Sequence, residues 1–412
     1  GAFQGTLEQN GKNACFFWRI YNQHNANPML DINPADPATQ FHLKGGRLYL
    51  RTVGGVDPQA GGVVIAVQNL AVDLDGCSNV TVEGFLTRHH GSAVGTSNGR
   101  NVRLIDCDFG YCGKTGVWLT KLTASSMVRC RVQGCGNWAG HYEDNIHVSE
   151  GDGVLIQECA VSWGGHSGVI CLGVRNLRLE KNILENLGGS GFTLKQGTNG
   201  AKVLGNTIRG VAGVAQLTVH RVPHFAFQLS GEGNVIENNL MEKNGGGIIA
   251  TSTNAQACKG NKVTRNTIQD CEGAALDFGE NEGRGTMDGN TVAANIIRRG
   301  CQGRWANGDP QINLIQTASA ERPGAVLASF TDNFIDTSGR INLSGNIMAP
   351  TASAPGFSGN DSSRLANRGA DTAPVPPTPC SSAAGSTRQT AASSRATIVS
   401  ARRRPSNRAP VW

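Results

Sequence analysis

SGVICLGVRNLRLEKNILENLGGSGFTL, residues 167–194, holds one complete repeat and the opening of the next. A small residue and a glycine lead into alternating apolar residues (SGVIC), a second apolar stretch follows (NLRLEKNIL), and after 23 residues the opening returns (SGFTL). The same opening recurs as SAVGT (92–96), TGVWL (115–119), DNIHV (144–148), FAFQL (225–229) and GGIIA (246–250). Taking the apolar residue after the small one as origin gives Val72, Val94, Val117, Ile146, Val169, Phe192, Phe227, Ile248 and Ala275. The gaps are 22, 23, 29, 23, 23, 35, 21 and 27, a base period of 22–23 with insertions of about 6, 12 and 4.

Each origin strand is followed by a second apolar one, as in NVTVEGF (79–85), NVRLIDCDF (101–109), GVLIQECAV (153–161) and NKVTRNTI (261–268). Alternation at period 2 marks a strand with one buried face. Two short strands with Gly and Asn turns in each repeat, and no helical stretch between, exclude a βαβ sheet and a leucine-rich horseshoe. They predict an all-β solenoid of about ten coils, a parallel β-helix in which each coil buries its face on the next. The composition agrees: 55 of 412 residues are Gly, only 6% are aromatic, and no apolar run is long enough to span a membrane.

A column of turn residues supports the register. About thirteen positions after successive origins stand Cys107, Cys130, Cys159, Asn182, Asn206, Asn239, Asn266 and Asn290. Stacked Asn side chains can bond along the column and satisfy turn backbone groups, with Cys standing in as a small buried apolar residue. Cys107, Cys130 and Cys159 are therefore expected as buried free thiols, and Cys112 with Cys135 as a surface pair, oxidised or not.

The solenoid is expected to run over residues 61–348. Residues 1–60 lack the period and read as an N-terminal cap or incomplete first coils. Residues 349–412 read as a disordered, low-complexity basic tail. That tail carries Arg388, Arg395, Arg402, Arg403, Arg404 and Arg408, which account for the formal net charge of +6 and leave the body near neutral. Such an arm is a solvated segment, so no nucleic-acid partner is expected.

The repeat resembles that of the pectate-lyase-like superfamily of right-handed parallel β-helices, over roughly residues 62–346. The resemblance implies a right-handed coil and a carbohydrate-active protein, since the superfamily includes lyases, glycoside hydrolases, epimerases, phage tailspikes and adhesins. Of the pectate lyase signature, Arg221 and Pro223 match the opening Arg-x-Pro; Ala226 stands where a second Arg belongs, and no Trp-x-Asp-His motif accompanies it. The GGHSG run at 164–168 is similar to the histidine motif of polygalacturonases, without their paired aspartates. Gly1 stands where an initiator Met would, with no leader before it, so the chain reads as processed or partial and a secreted or periplasmic location is inferred from the fold.

Coils about 4.8 Å apart make residues of one column spatial neighbours. One position after the origin, the outward column reads Asp73, Gly95, Trp118, His147, Ile170, Thr193, Gln228, Ile249 and Leu276. Three positions after, it reads Asp75, Ser97, Thr120, Ser149, Leu172, Lys195, Ser230, Thr251 and Phe278; three before, Gly91, Lys114, Glu143, His166, Gly189, His224, Gly245 and Glu272. Glu143 and His166 are thus vertical neighbours, a carboxylate placed to orient an imidazole base. The two large insertions fall on the same coils and carry Trp138, His141, Tyr142, Glu143 and Asp144, then His220, Arg221 and His224.

The expected activity is lyase or epimerase chemistry on a uronate-containing, acidic polysaccharide. Such chemistry needs a base for the proton beside the carboxyl group and a cation for the enolate. His147, Lys195, Glu143, His166 and Arg221 are the catalytic candidates. Trp118, Trp138, His141, Tyr142, Gln228 and Thr193 are the substrate-binding ones. The acids of EDNIHVSEGD make Asp144, Glu150 and Asp152 candidate ligands for Ca²⁺, which favours several oxygen donors. The alternatives are a glycoside hydrolase using Glu143 and Asp144, and a non-catalytic carbohydrate-binding or surface-structural β-helix.

Overall fold

The structure, a computed structural model, describes residues 69–136, 143–211, 225–250, 257–278, 287–300 and 329–335, with the backbone of further short strands such as Ile312–Ile315 and Ile341–Ser344. The chain winds as a parallel β-helix. Each coil has at least three strands, not the expected two: Val117–Thr120, Ser126–Val128 and Arg131–Gln133 make up one of them, and later coils add a short fourth strand, Gly231–Glu232, Cys258–Lys259 and Met287–Asp288. NVRLIDCDF breaks into Arg103–Ile105 and Asp108–Gly110.

The break comes from one residue. Asp106 takes a left-handed conformation (φ 53°), as do Arg129, Glu158, Lys181, Asn238 and Arg265 at the same corner. Each turns the chain and puts the next residue inward. Buried positions along this coil therefore run Val102, Leu104, Cys107, Phe109 and Cys112, spaced two and three residues apart in turn. A strict period of 2 reads straight through such a corner, and so two strands looked like one.

Corresponding strands stack into an eleven-stranded sheet containing the origins, here the site sheet, and two ten-stranded sheets that close the coil. The register follows the origins: Val72, Val94, Val117, Ile146, Val169, Phe192, Phe227 and Ile248 are successive partners. It departs once. Ile248 pairs with Leu276, not Ala275, so Asp277 takes the outward place assigned to Leu276. Phe278 then points inward and is fully buried, and Ser230 is buried as well, its hydroxyl donating to the Leu194 carbonyl (2.9 Å). The origin and the position two after it fill the interior of each coil, where the rings of Phe192 and Phe227 lie with centroids 6.0 Å apart, tilted by 54°.

The Asn ladder runs Asn182, Asn206, Asn239, Asn266, Asn295 and Asn333. Each backbone N–H donates to the side-chain oxygen of the next Asn, at 2.8–3.0 Å. Asn290 belongs instead to a second ladder, one corner earlier, with Asn234 and Asn261. The corners lie five residues apart, so counting from an origin displaced by insertions picked the wrong one. Cys107, Cys130 and Cys159 continue the first ladder as free buried thiols, Cys159 donating to Met127 O where Asn206 donates to Leu179 O.

Cys112 and Cys135 are likewise fully buried and free, not a surface pair. They follow the third corner of adjacent coils and face the interior, and the neighbouring Cys135 thiol together with burial pushes the Cys112 thiol well up. Among the described residues no helix is long and apolar enough to cross a membrane. The expected cap (1–60) and tail (349–412) lie outside the described residues.

Candidate active site

The site forms where the third strand of a coil turns into the site sheet. After the corner the chain must cross to the next origin, and the six-residue insertion of the third coil enlarges this crossing. Gly136 (φ 71°) brings the chain back so closely that a Cβ there would lie 2.2 Å from the Glu143 carbonyl oxygen. Asn145 then occupies the interior of the crossing, its Oδ1 accepting from Cys135 N (3.2 Å) and its Nδ2 donating to Ser162 O (3.2 Å). It rests on Gly164, where a Cβ would be 2.7 Å from its Oδ1. With Asn145 fixed, the residue before it and the residue after the next origin are fixed too.

Those residues are Asp144 and His147. Asp144 is 1% exposed, and its carboxylate lies between two imidazoles: His166 Nδ1 is 2.7 Å from Oδ1 and His147 Nδ1 3.5 Å from Oδ2. Ser167 N–H also donates to Oδ1 (3.2 Å), and the Asp144 N–H donates to Thr115 Oγ1 (3.2 Å). Burial pushes the Asp144 carboxyl up, but the charges and hydrogen bonds of His166 and His147 outweigh it and hold it below the ordinary carboxylate range. A buried carboxylate at Nδ1 places the ring proton there and leaves Nε2 as the basic nitrogen of the neutral imidazole. The two imidazoles reach the surface, with side chains 23% and 14% exposed for His166 and His147.

Around this core, His147 packs on Trp118 of the preceding coil, ring centroids 4.3 Å apart and tilted by 36°. Along the same outward column Ile170, Thr193 and Gln228 follow in register. Thr193 is 2% exposed, its hydroxyl 3.4 Å from Ser167 Oγ, which lies 3.3 Å from His166 Nδ1. Thr193 is therefore placed to brace the histidine, not to meet a ligand. Lys195 ends the strand Phe192–Lys195, two coils from His147 and two residues further along.

The carboxylate that orients His166 is Asp144 and not Glu143. Glu143 turns to the preceding coil, where its Oε2 accepts from Thr115 Oγ1 (2.5 Å) and Thr115 N (3.1 Å). The supposed calcium acids do not converge. Asp144 is enclosed by histidines, Glu150 pairs with Lys121 at the surface (3.7 Å), and Asp152 takes Asn176 Nδ2 (2.8 Å) and Arg175 (3.3 Å) on the following turn. Among the described residues no group of three or more His, Cys, Asp and Glu side chains is arranged to hold a metal ion. Trp138, His141, Tyr142 and Arg221 lie outside the described residues.

Ser167 and Thr115 were not singled out from the sequence, and Asp144 was given a different role. A signal was there: two positions before the origin the column reads Ser92, Thr115, Asp144, Ser167 and Ser190, all buried. A buried Ser/Thr file interrupted by one acid marks an aspartate that needs partners.

Residues 70–225, which include Trp118, Asp144, His147, His166 and Thr193, match the family model described as a right handed beta helix region. No curated protein matches the chain. Among solved structures, the A-module of the mannuronan C-5 epimerase AlgE6 of Azotobacter vinelandii is similar with a TM-score of 0.47 and 11% identity, over 71% of this chain and 78% of that one. The catalytic unit of the GH87 α-1,3-glucanase of Streptomyces thermodiastaticus strain HF3-3 gives 0.49 and 13%, over 77% and 70%. The periplasmic alginate epimerase AlgG gives 0.36 and 14%, over 50% and 57%.

Proposed function

We propose that the protein is a secreted or periplasmic polysaccharide lyase that cleaves a uronate-containing glycan by β-elimination. The observation that carries this reading is the Asp144 carboxylate held at hydrogen-bond range of His166 and facing His147. Two imidazoles facing one buried carboxylate can divide the work between them, one taking a proton as a base and the other delivering one as an acid. Elimination uses both: a base for the proton on C5, next to the carboxyl group, and an acid for the oxygen that leaves C4. His166, whose ring Asp144 orients at 2.7 Å, is assigned as the base and His147 as the acid. Trp118 offers an aromatic face beside His147 for a sugar ring, and Lys195 supplies a cation for a uronate carboxylate further along the groove.

A hydrolase built on Glu143 and Asp144 is disfavoured, because both carboxylates are spent on neighbours within the fold. Absorbance at 235 nm on a panel of uronate glycans tests the proposal, since elimination creates a C4–C5 double bond conjugated with the carboxyl group. Rising absorbance that is lost in His166→Ala and His147→Ala supports it. New reducing ends without absorbance would replace it with hydrolysis, and binding without turnover with a non-catalytic role.

A further inference from the structure

The arrangement of His166 and His147 bears on which uronate the groove accepts, if the elimination reading holds. An elimination can remove the C5 hydrogen and the C4 oxygen from the same face of the sugar ring or from opposite faces. Opposite faces require the base and the acid to oppose each other across the ring, with the sugar between them. Here the space between the two histidines is already filled. Asp144 lies there at 1% exposure, with one imidazole on each of its oxygens and Ser167 N–H on Oδ1. Both rings face that one buried group through Nδ1, at 2.7 Å for His166 and 3.5 Å for His147, and both side chains reach the surface on the same wall of the coil. His147 is further held from the side by Trp118, at 4.3 Å.

We infer that base and acid approach one face of the sugar, and that the substrates are glycans whose uronate carries H5 and O4 cis. These are the gluco- and manno-configured uronates; in galacto-, gulo- and ido-configured uronates H5 and O4 are trans. In the step, His166 Nε2 takes the C5 proton, and the C5–H electron pair becomes the C4–C5 double bond. The C4–O bond breaks with its electrons on oxygen, and His147 Nε2 protonates that oxygen. The departing fragment leaves with a new C1 hydroxyl, the other with an unsaturated uronate end, and the two histidines have exchanged protonation states.

Two pairs of glycans that differ in C5 configuration provide the test: polymannuronate against polyguluronate, and chondroitin against dermatan. The full chain is assayed at 235 nm on all four. Elimination on polymannuronate or chondroitin at least about 100-fold faster than on its C5 epimer is expected, the size of one well-placed proton-transfer group. Equal or faster elimination on polyguluronate or dermatan overturns the one-face arrangement while leaving elimination itself intact. No absorbance on any of the four overturns the elimination reading and this inference with it.

Discussion

Replacing Asn206 with Leu tests the framework on which the site hangs. Asn206 is 1% exposed, and leucine is close to it in shape, so little of the effect comes from volume. Its Oδ1 accepts from Asn182 N (2.8 Å) and Asn182 Nδ2 (2.9 Å), and its Nδ2 donates to Leu179 O (2.9 Å) and Asn239 Oδ1 (2.9 Å). Some of these groups keep other partners after the change. Asn182 Nδ2 still reaches Ile156 O, and Asn239 Oδ1 still takes the backbone N–H of residue 206. One is stranded inside the coil, the Asn182 N–H, while the Leu179 carbonyl keeps its place in the parallel ladder to the next coil. A stranded group costs roughly 1–3 kcal/mol and the lost amide bonds add to it, while apolar transfer of leucine returns part, for a net loss of about 1–3 kcal/mol. At about 2–4 °C per kcal/mol the melting temperature should fall by several degrees. Urea titration followed by far-ultraviolet circular dichroism measures the loss, and amide exchange of a peptide spanning 177–185 should locate it at Asn182. An unchanged urea midpoint with an unchanged exchange rate would refute the reasoning that the ladder satisfies these groups.

Cys159→Asn should extend the ladder by one coil, replacing the weak thiol contact to Met127 O (3.6 Å) with an amide, and raise stability by about 0.5–2 kcal/mol in the same titration. Asp144→Asn should cut elimination by roughly 100-fold or more, since the amide cannot balance an imidazolium, while the β-sheet circular dichroism is unchanged; near-normal rates would remove Asp144 from the mechanism. Because the folded Asp144 carboxyl lies below its usual 3.8, its contribution to stability is complete above that pH and is lost as pH falls through the depressed value. The wild type should therefore lose more stability than Asp144→Asn on acidification from pH 5 to pH 2, a difference readable by thermal melts. Lys195→Ala should abolish most turnover with little change in melting temperature, and wild-type kinetics would take Lys195 out of the groove. Among the described cysteines only Cys77 is partly exposed, so a thiol reagent should label it before Cys171 or Cys258, whose thiols burial pushes up, that of Cys258 to about 12.

The sequence by itself determined the coil. A period of 22–23 residues, apolar alternation and a recurring Asn position leave few ways to bury the apolar face, and the origins from Val72 to Ile248 pair as counted. It also brought His147, Trp118 and His166 to neighbouring coils, because column membership follows from period alone. Three things needed the tertiary structure. The number of strands per coil depended on single left-handed residues such as Asp106 and Arg129, whose conformation no alternation pattern reveals. The shift from Ala275 to Leu276, and from Asn290 to Asn295, arose because an insertion changes the count without saying at which corner the extra residues leave the coil. The choice of Asp144 over Glu143 depended on side-chain direction: adjacent residues of one crossing point to opposite coils, one up to His166 and the other down to Thr115, and only packing fixes which goes where.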